Sequence, residues 1–112
     1  MTAVNFAVDL DRDGTAVTMR LTGELDIATV TRVREAYAEA LEHAPTSLVI
    51  DLAGVEFIDS SGLKFLIEAD RALRETLCEL RIRRPPAAAM RVFTVTGADR
   101  HLPFTDAAEG SS

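Results

Sequence analysis

Two stretches near the start of this chain alternate apolar and polar residues with a period of two, a pattern that suits half-buried strands and no helix. Val4, Phe6, Val8 and Leu10 alternate with Asn5, Ala7 and Asp9; Val17, Met19 and Leu21 alternate with Thr18, Arg20 and Thr22. Between them Asp11-Arg12-Asp13-Gly14 reads as a turn in which Gly14 supplies a positive φ. The two strands are therefore expected to form a hairpin. Gly23-Glu24-Leu25-Asp26 reads as the break that ends the second strand.

The period then changes. A helix is expected over about residues 28–42, with Val30, Val33, Tyr37, Ala40 and Leu41 as its apolar stripe and Pro45 as its stop. Ser47-Leu48-Val49-Ile50-Asp51-Leu52 reads as a central strand. A second helix is expected over about 61–76, with Leu63, Leu66, Leu73 and Leu77 opposite Lys64, Glu68, Arg71 and Glu75. Leu80-Arg81-Ile82-Arg83 is the next strand. Pro85 and Pro86 open a third helix that reaches about Val95 and is capped by Gly97. Leu102-Pro103-Phe104 is a short last strand, and the small, polar stretch 106–112 reads as a frayed tail after one domain over 1–105.

The order is β-β-α-β-α-β-α-β. Helices between strands imply right-handed crossovers, and so an α/β fold whose sheet of four to five strands is mixed and mostly parallel. The alternation in the first, second and fourth strands implies one wet sheet face, so the helices are expected on the other face alone.

Composition narrows function. A chain of 112 residues with a net charge of −6 lacks the basic face of a nucleic-acid binder and is poorly suited to an anionic membrane. No apolar run approaches the roughly 20 residues of a membrane span. Met1-Thr2-Ala3-Val4-Asn5-Phe6 lacks the basic start and apolar core of a signal peptide, and the single Cys78 has no partner for an internal disulfide. The expected setting is the cytoplasm, with a protein as partner.

Val55-Glu56-Phe57-Ile58-Asp59-Ser60-Ser61-Gly62-Leu63 is the segment with functional content: strand-like residues end in a turn, two adjacent hydroxyls and a glycine follow, and an amphipathic helix begins. Taken alone, Asp59 and Ser60 are preferred helix caps. A hydroxyl there also sits where free N–H groups and the helix dipole favour negative charge, so it can accept a phosphate without breaking the fold. Other patterns carry less. Asp9-Leu10-Asp11-Arg12-Asp13-Gly14 imitates the start of an EF-hand loop, but the twelfth position is the cation Arg20, so no metal is expected. The hydrolase elbow G-x-S-x-G is absent and neither His43 nor His101 has a spaced acid partner, so no catalysis is expected. Cys78 reads as a small semi-buried hydrophobe, and Phe65, at the edge of its helix's apolar arc, reads first as core.

Leu21-Thr22-Gly23-Glu24-Leu25-Asp26, followed about thirty residues later by Leu52-Ala53-Gly54-Val55-Glu56-Phe57-Ile58-Asp59-Ser60-Ser61-Gly62-Leu63, closely resembles the two signature segments of STAS domains. More narrowly, the chain resembles bacterial anti-sigma factor antagonists of the SpoIIAA and RsbV type. It departs from them at Thr76-Leu77-Cys78-Glu79, where a glycine-rich approach is usual, and in a last helix that is missing or reduced. The resemblance implies the STAS fold, a mixed sheet with helices on one side. It implies an unphosphorylated form that binds an anti-sigma factor serine kinase of the GHKL type and so releases a sigma factor. Phosphorylation of the second serine, here Ser61, would switch that binding off, and a PP2C-type phosphatase would reverse it. The surface expected to meet the partner comprises Asp26, Asp59, Ser60, Gly62 and Phe65. No cofactor is implied. The alternative is an unphosphorylated structural STAS subunit of a signalling scaffold or a lipid-transport complex.

Overall fold

The computed structural model describes residues 5–105, so Val4 and the stretch 106–112 lie outside the described residues. Strands β1 (Phe6–Asp13) and β2 (Ala16–Leu25) form the expected hairpin around Gly14, whose φ is 64°. Then come α1 (Val30–Leu41), β3 (Ser47–Ile58), α2 (Ser60–Arg74), β4 (Glu79–Arg83), α3 (Ala87–Thr96), a single 3₁₀ turn (Ala98–Arg100) and β5 (Phe104–Thr105). The sheet has five strands in the order β1-β2-β3-β4-β5. Only β1 runs antiparallel to its neighbour. Because spatial order follows chain order, every crossover advances in the same direction, and crossovers of one hand then leave all helices on one face. The burial pattern agrees. Val17, Met19, Leu21 and Leu25 of β2 and Ile82 of β4 join Val33 of α1, Leu66 of α2 and Phe93 of α3 in one core.

Several expected boundaries are corrected; the last strand, expected over Leu102-Pro103-Phe104, is Phe104–Thr105, because the chain first closes the 3₁₀ turn with the Leu102 N–H bonded to the Ala98 carbonyl. The second strand does not break at Gly23 but runs on to Leu25. Gly23 is what allows this: its φ is 99°, and a Cβ there would lie 1.7 Å from the carbonyl oxygen of Asn5. The second helix ends at Arg74, because the Thr76 hydroxyl donates to the Leu73 carbonyl (2.8 Å) and accepts from the Cys78 N–H (3.1 Å), closing a turn. Leu77, expected on the helix's apolar face, is 98% exposed.

The third strand, expected over Ser47–Leu52, runs on to Ile58 and bulges twice. Arg20 faces Asp51 but Thr22 faces Gly54; Gly23 faces Val55 but Glu24 faces Phe57. In each step β3 advances one residue more than β2. The core positions therefore pass from a spacing of two (Leu48, Ile50, Leu52) to a spacing of three (Val55, Ile58), and the strand stays buried on the correct side to its end.

On the helix-free face, one row of the register carries Asp9, Arg20, Asp51 and Arg83 in succession across β1 to β4. Asp51 is only 4% exposed. Its Oδ2 accepts from Arg83 Nη1 (3.0 Å) and lies 3.7 Å from Arg20 Nε, and its Oδ1 accepts from the Ala53 N–H (2.9 Å) at the first bulge. Removing one member of such a pair leaves its partner half-desolvated. Asp51→Ala is expected to cost about 2–3 kcal/mol in urea denaturation; a loss below about 0.5 kcal/mol, the range of ordinary surface changes, would show that water replaces the carboxylate without cost.

Candidate functional site

The site is built where β2 and β3 end together. Leu25 and Ile58 are register partners in parallel strands, so the residues that follow them, Asp26 and Asp59, emerge at the same end of the sheet. The Asp59 N–H donates to the Leu25 carbonyl (3.1 Å) and completes that pairing.

Asp59 is the N-cap of α2, with extended backbone (φ −105°, ψ −171°). Its Oδ1 accepts from the N–H groups of Ser61 (2.8 Å) and Gly62 (3.4 Å). Its Oδ2 accepts from the Ile27 N–H (3.3 Å) in the loop after β2. One carboxylate thus satisfies two of the orphan donors at a helix start and fastens that start to a second loop.

Asp26 holds its own loop. Its Oδ1 accepts from the N–H groups of Ala28 (3.0 Å) and Thr29 (3.1 Å). The buried Thr29 hydroxyl accepts from the Asp26 N–H (3.0 Å) and donates to the Glu24 carbonyl (2.7 Å). This turn occupies the residues expected as the first of the helix, so α1 begins at Val30 rather than near Ala28. Asp26 makes no hydrogen bond to Ser61 among the described residues; the two are linked through Ile27 and Asp59.

Ser60 is exposed and Ser61 half-buried, at the first and second positions of α2. Among the described residues neither hydroxyl has a hydrogen-bond partner. The Asp59 carboxylate is the acid at this helix start, and no second acid follows in the first turn, so the Ser60 N–H and the uncompensated part of the helix dipole remain for an added anion.

Gly62 is buried, and its role is close approach. A Cβ there would lie 2.6 Å from Leu25 Cγ and 3.1 Å from Ile58 Cγ2, so α2 starts pressed against the ends of β2 and β3. Phe65 also faces inward. It is 1% exposed, packs edge-on against Tyr37 with ring centroids 5.4 Å apart, and lies under the Arg34 guanidinium at 5.5 Å. Neither residue presents a side chain to a partner; both position the helix that carries the serines. Sequence reasoning missed two exposed apolar residues beside this end of the sheet, Ile27 (75% exposed) and Phe57 (49%). Ile27 gave a signal as an aliphatic residue inside a polar turn; Phe57 gave none without the bulge, which sets it out of phase with the core.

The other motifs fall away from this end. Asp9, Asp11 and Asp13 lie along β1 and form no ion-binding loop, and no group of three His, Cys, Asp or Glu residues among those described could hold a metal. Burial pushes the Cys78 thiol pKa up, which keeps it protonated and unreactive at neutral pH. No helix among the described residues is long and apolar enough to cross a membrane.

Alanine at a helix interior normally gains about 1 kcal/mol over glycine. Here the added methyl must displace the fully buried Leu25, so Gly62→Ala is expected to destabilise by about 1–3 kcal/mol, as overpacked cores do. Denaturant unfolding decides, and a stabilised variant would mean that Leu25 moves freely.

Comparison with known proteins places this geometry. A family model described as the Mlab STAS domain matches residues 8–104. The anti-sigma-F factor antagonist RsfB of Mycobacterium tuberculosis is 39% identical over 67 residues, covering 60% of this chain and 54% of RsfB; in that match the chain spans about half the relative's length. An anti-sigma-B factor antagonist of Listeria monocytogenes is 30% identical over 95 residues, covering 84% of this chain and 83% of the relative. The anti-sigma factor antagonist SpoIIAA in its unphosphorylated form superposes with a TM-score of 0.77 at 26% identity, over 94% of this chain and 91% of that one. The Bacillus cell fate determinant SpoIIAA in its phosphorylated form gives 0.72 at 26% identity, over 94% and 95%. The first three of these relatives carry the name of anti-sigma factor antagonist, and the chain belongs to the STAS domain family.

Proposed function

We propose that this chain is an anti-sigma factor antagonist whose binding to an anti-sigma factor kinase is switched off by phosphorylation of Ser61. The observation that carries the reading is the free Ser61 hydroxyl. It stands at the second position of α2 while the backbone around it is already satisfied by Asp59, so a phosphoryl group can be added without removing any hydrogen bond of the fold. Solved relatives in both unphosphorylated and phosphorylated form support the same reading.

The transfer moves the γ-phosphoryl group of ATP to the Ser61 oxygen, releases ADP and frees the hydroxyl proton; the kinase supplies the nucleotide site. This chain supplies a fixed acceptor. The unmodified partner surface comprises the rim of this sheet end: Asp26 and the exposed Ile27 in one loop, Phe57 at the end of β3, and Asp59 and Ser60 at the start of α2. A phosphate adds about −1.5 to −2 charge units to a rim that already carries two carboxylates. A desolvated charge facing like charge costs several kcal/mol, and about 3 kcal/mol weakens binding a hundredfold. Within the domain the helix N-terminus offsets part of the charge. The interface fails and the fold persists. A PP2C-type phosphatase would return the chain to its binding form, and the reaction belongs in the cytoplasm, where sigma factors act.

Mass spectrometry after incubation with a GHKL-type anti-sigma factor kinase and ATP tests the assignment. Modification at Ser61 that disappears in Ser61→Ala is the expected result. Modification that persists at Ser60 removes Ser61 from the mechanism; no modification and no binding brings forward the structural subunit of a scaffold or lipid-transport complex.

Three variants probe the switch and its rim. Ser61→Ala is expected to bind the kinase within about tenfold of wild type, since a neutral hydrogen bond is worth about 1 kcal/mol. Ser61→Asp is expected to bind more weakly, up to about a hundredfold, with unchanged circular dichroism; calorimetric titration showing wild-type affinity would refute electrostatic exclusion. Asp26→Asn keeps an oxygen for the Ala28 and Thr29 N–H groups, so it is expected to cost less than about 1 kcal/mol of stability. Its kinase binding or phosphorylation is nevertheless expected to fall. A stability loss above about 2 kcal/mol would mark the charge as structural.

A further inference from the structure

The outward side of α2 carries the chain's single lysine, Lys64. It is exposed and makes no ion pair or hydrogen bond with any described residue. Together with Ser60, Leu63, Ile67, Glu68 and Arg71 it lines a shallow depression of about 300 Å³ whose N-terminal edge is Ser60, the residue before Ser61. In a helix, residues three and four apart are surface neighbours with Cβ atoms about 5–6 Å apart. Lys64 is three residues beyond Ser61 and four beyond Ser60. Side chains in a helix also lean toward its N-terminus, so a lysine covers the turn before its own Cα. Here that turn holds the candidate phosphoacceptor.

The other charges nearby are committed or distant. Arg34 pairs with Glu68 (2.9 Å) and Arg74 with Asp70 (2.9 Å). Arg71 shares the depression but is ten residues from Ser61, about 15 Å along the helix axis. On the acidic side, both oxygens of Asp59 accept backbone N–H groups, and Asp26 Oδ1 is bound within its own loop. Lys64 is thus an unclaimed cation aimed at a position where a dianion would appear.

We propose that Lys64 is the built-in counter-ion of phosphorylated Ser61, a proposal that rests on Ser61 being the acceptor. In the modified protein the ammonium group pairs with the phosphate across one helical turn and holds it against the start of α2. In the unmodified protein the same cation is free to meet an acidic group of the partner. Phosphorylation therefore acts twice: it adds negative charge to the rim and withdraws the Lys64 ammonium from it.

The test uses the full chain with phosphoserine encoded at position 61, so its outcome does not depend on any kinase; failure of the acceptor assignment would appear separately, in the phosphosite mapping. Titration followed by ³¹P NMR gives the second pKa of the phosphate, ordinarily about 6. With Lys64 present it is expected to lie about 0.2–0.4 unit below that of Lys64→Gln, the size of a one-turn helical ion pair. Lys64→Arg is expected to keep the low value, and about 1 M salt to erase most of the difference. Wild-type and Lys64→Gln proteins that titrate within about 0.1 unit of each other would overturn the proposal, as would a difference that salt leaves intact. Matching circular dichroism of the variants confirms that folded proteins are being compared.

Discussion

A single carboxylate, that of Asp59, determines whether this domain has a site at all. It caps α2 through Ser61 and Gly62 and reaches across to the Ile27 N–H, while its own N–H extends the pairing of β2 with β3. Without it the helix start and the preceding loop would be two independent ends, each with unsatisfied donors. With it they form one rim in a fixed relation. The cap engages the Ser61 and Gly62 N–H groups and leaves both serine hydroxyls free, which separates the chemistry of the switch from the stability of the fold.

The rim is held from beneath by packing. Gly62 lets α2 press on Leu25 and Ile58, and Phe65, one turn later, locks the helix against Tyr37 of α1. These contacts explain why motif residues with no outward side chain still belong to the site. The two bulges of β3 contribute as well: each adds a residue, and together they keep Ile58 inward so that Asp59 arrives at the surface in the correct phase. On the opposite face Asp51 draws Arg20 and Arg83 together across three strands, and ties the first bulge to that row through the Ala53 N–H.

The hairpin, the single helical layer and the cap at Gly97, whose φ is 82°, were legible because each rests on a local signal: alternation, helical period, or a glycine after an apolar run. The passage of β2 through Gly23 was not, since glycine ordinarily ends a strand and only the Asn5 carbonyl, eighteen residues earlier, shows why none else fits. The bulges were hidden for the same reason; a spacing of three in Leu52, Val55 and Ile58 has meaning only against a neighbouring strand. Leu77 continued the helical period in the sequence, but a threonine turn cut the helix first. At the site, Asp59 could be read as a cap from its neighbours. Its second bond, to Ile27, depends on the register of Leu25 with Ile58 and could not. Phe65 lay at the edge of its arc, where period alone does not separate core from surface.

Because the strands sit side by side in the order in which they occur along the chain, this sheet can be assembled as the ribosome delivers it. The hairpin needs nothing that follows it. Each later strand has its one earlier neighbour already in place, and every crossover spans a single helix, which keeps loop-closure entropy small. No strand must wait for a later one to be inserted between it and its predecessor. Every residue of the rim, from Asp26 to Gly62, precedes β4, α3 and β5 in the chain, so no contact that builds it has to wait for them.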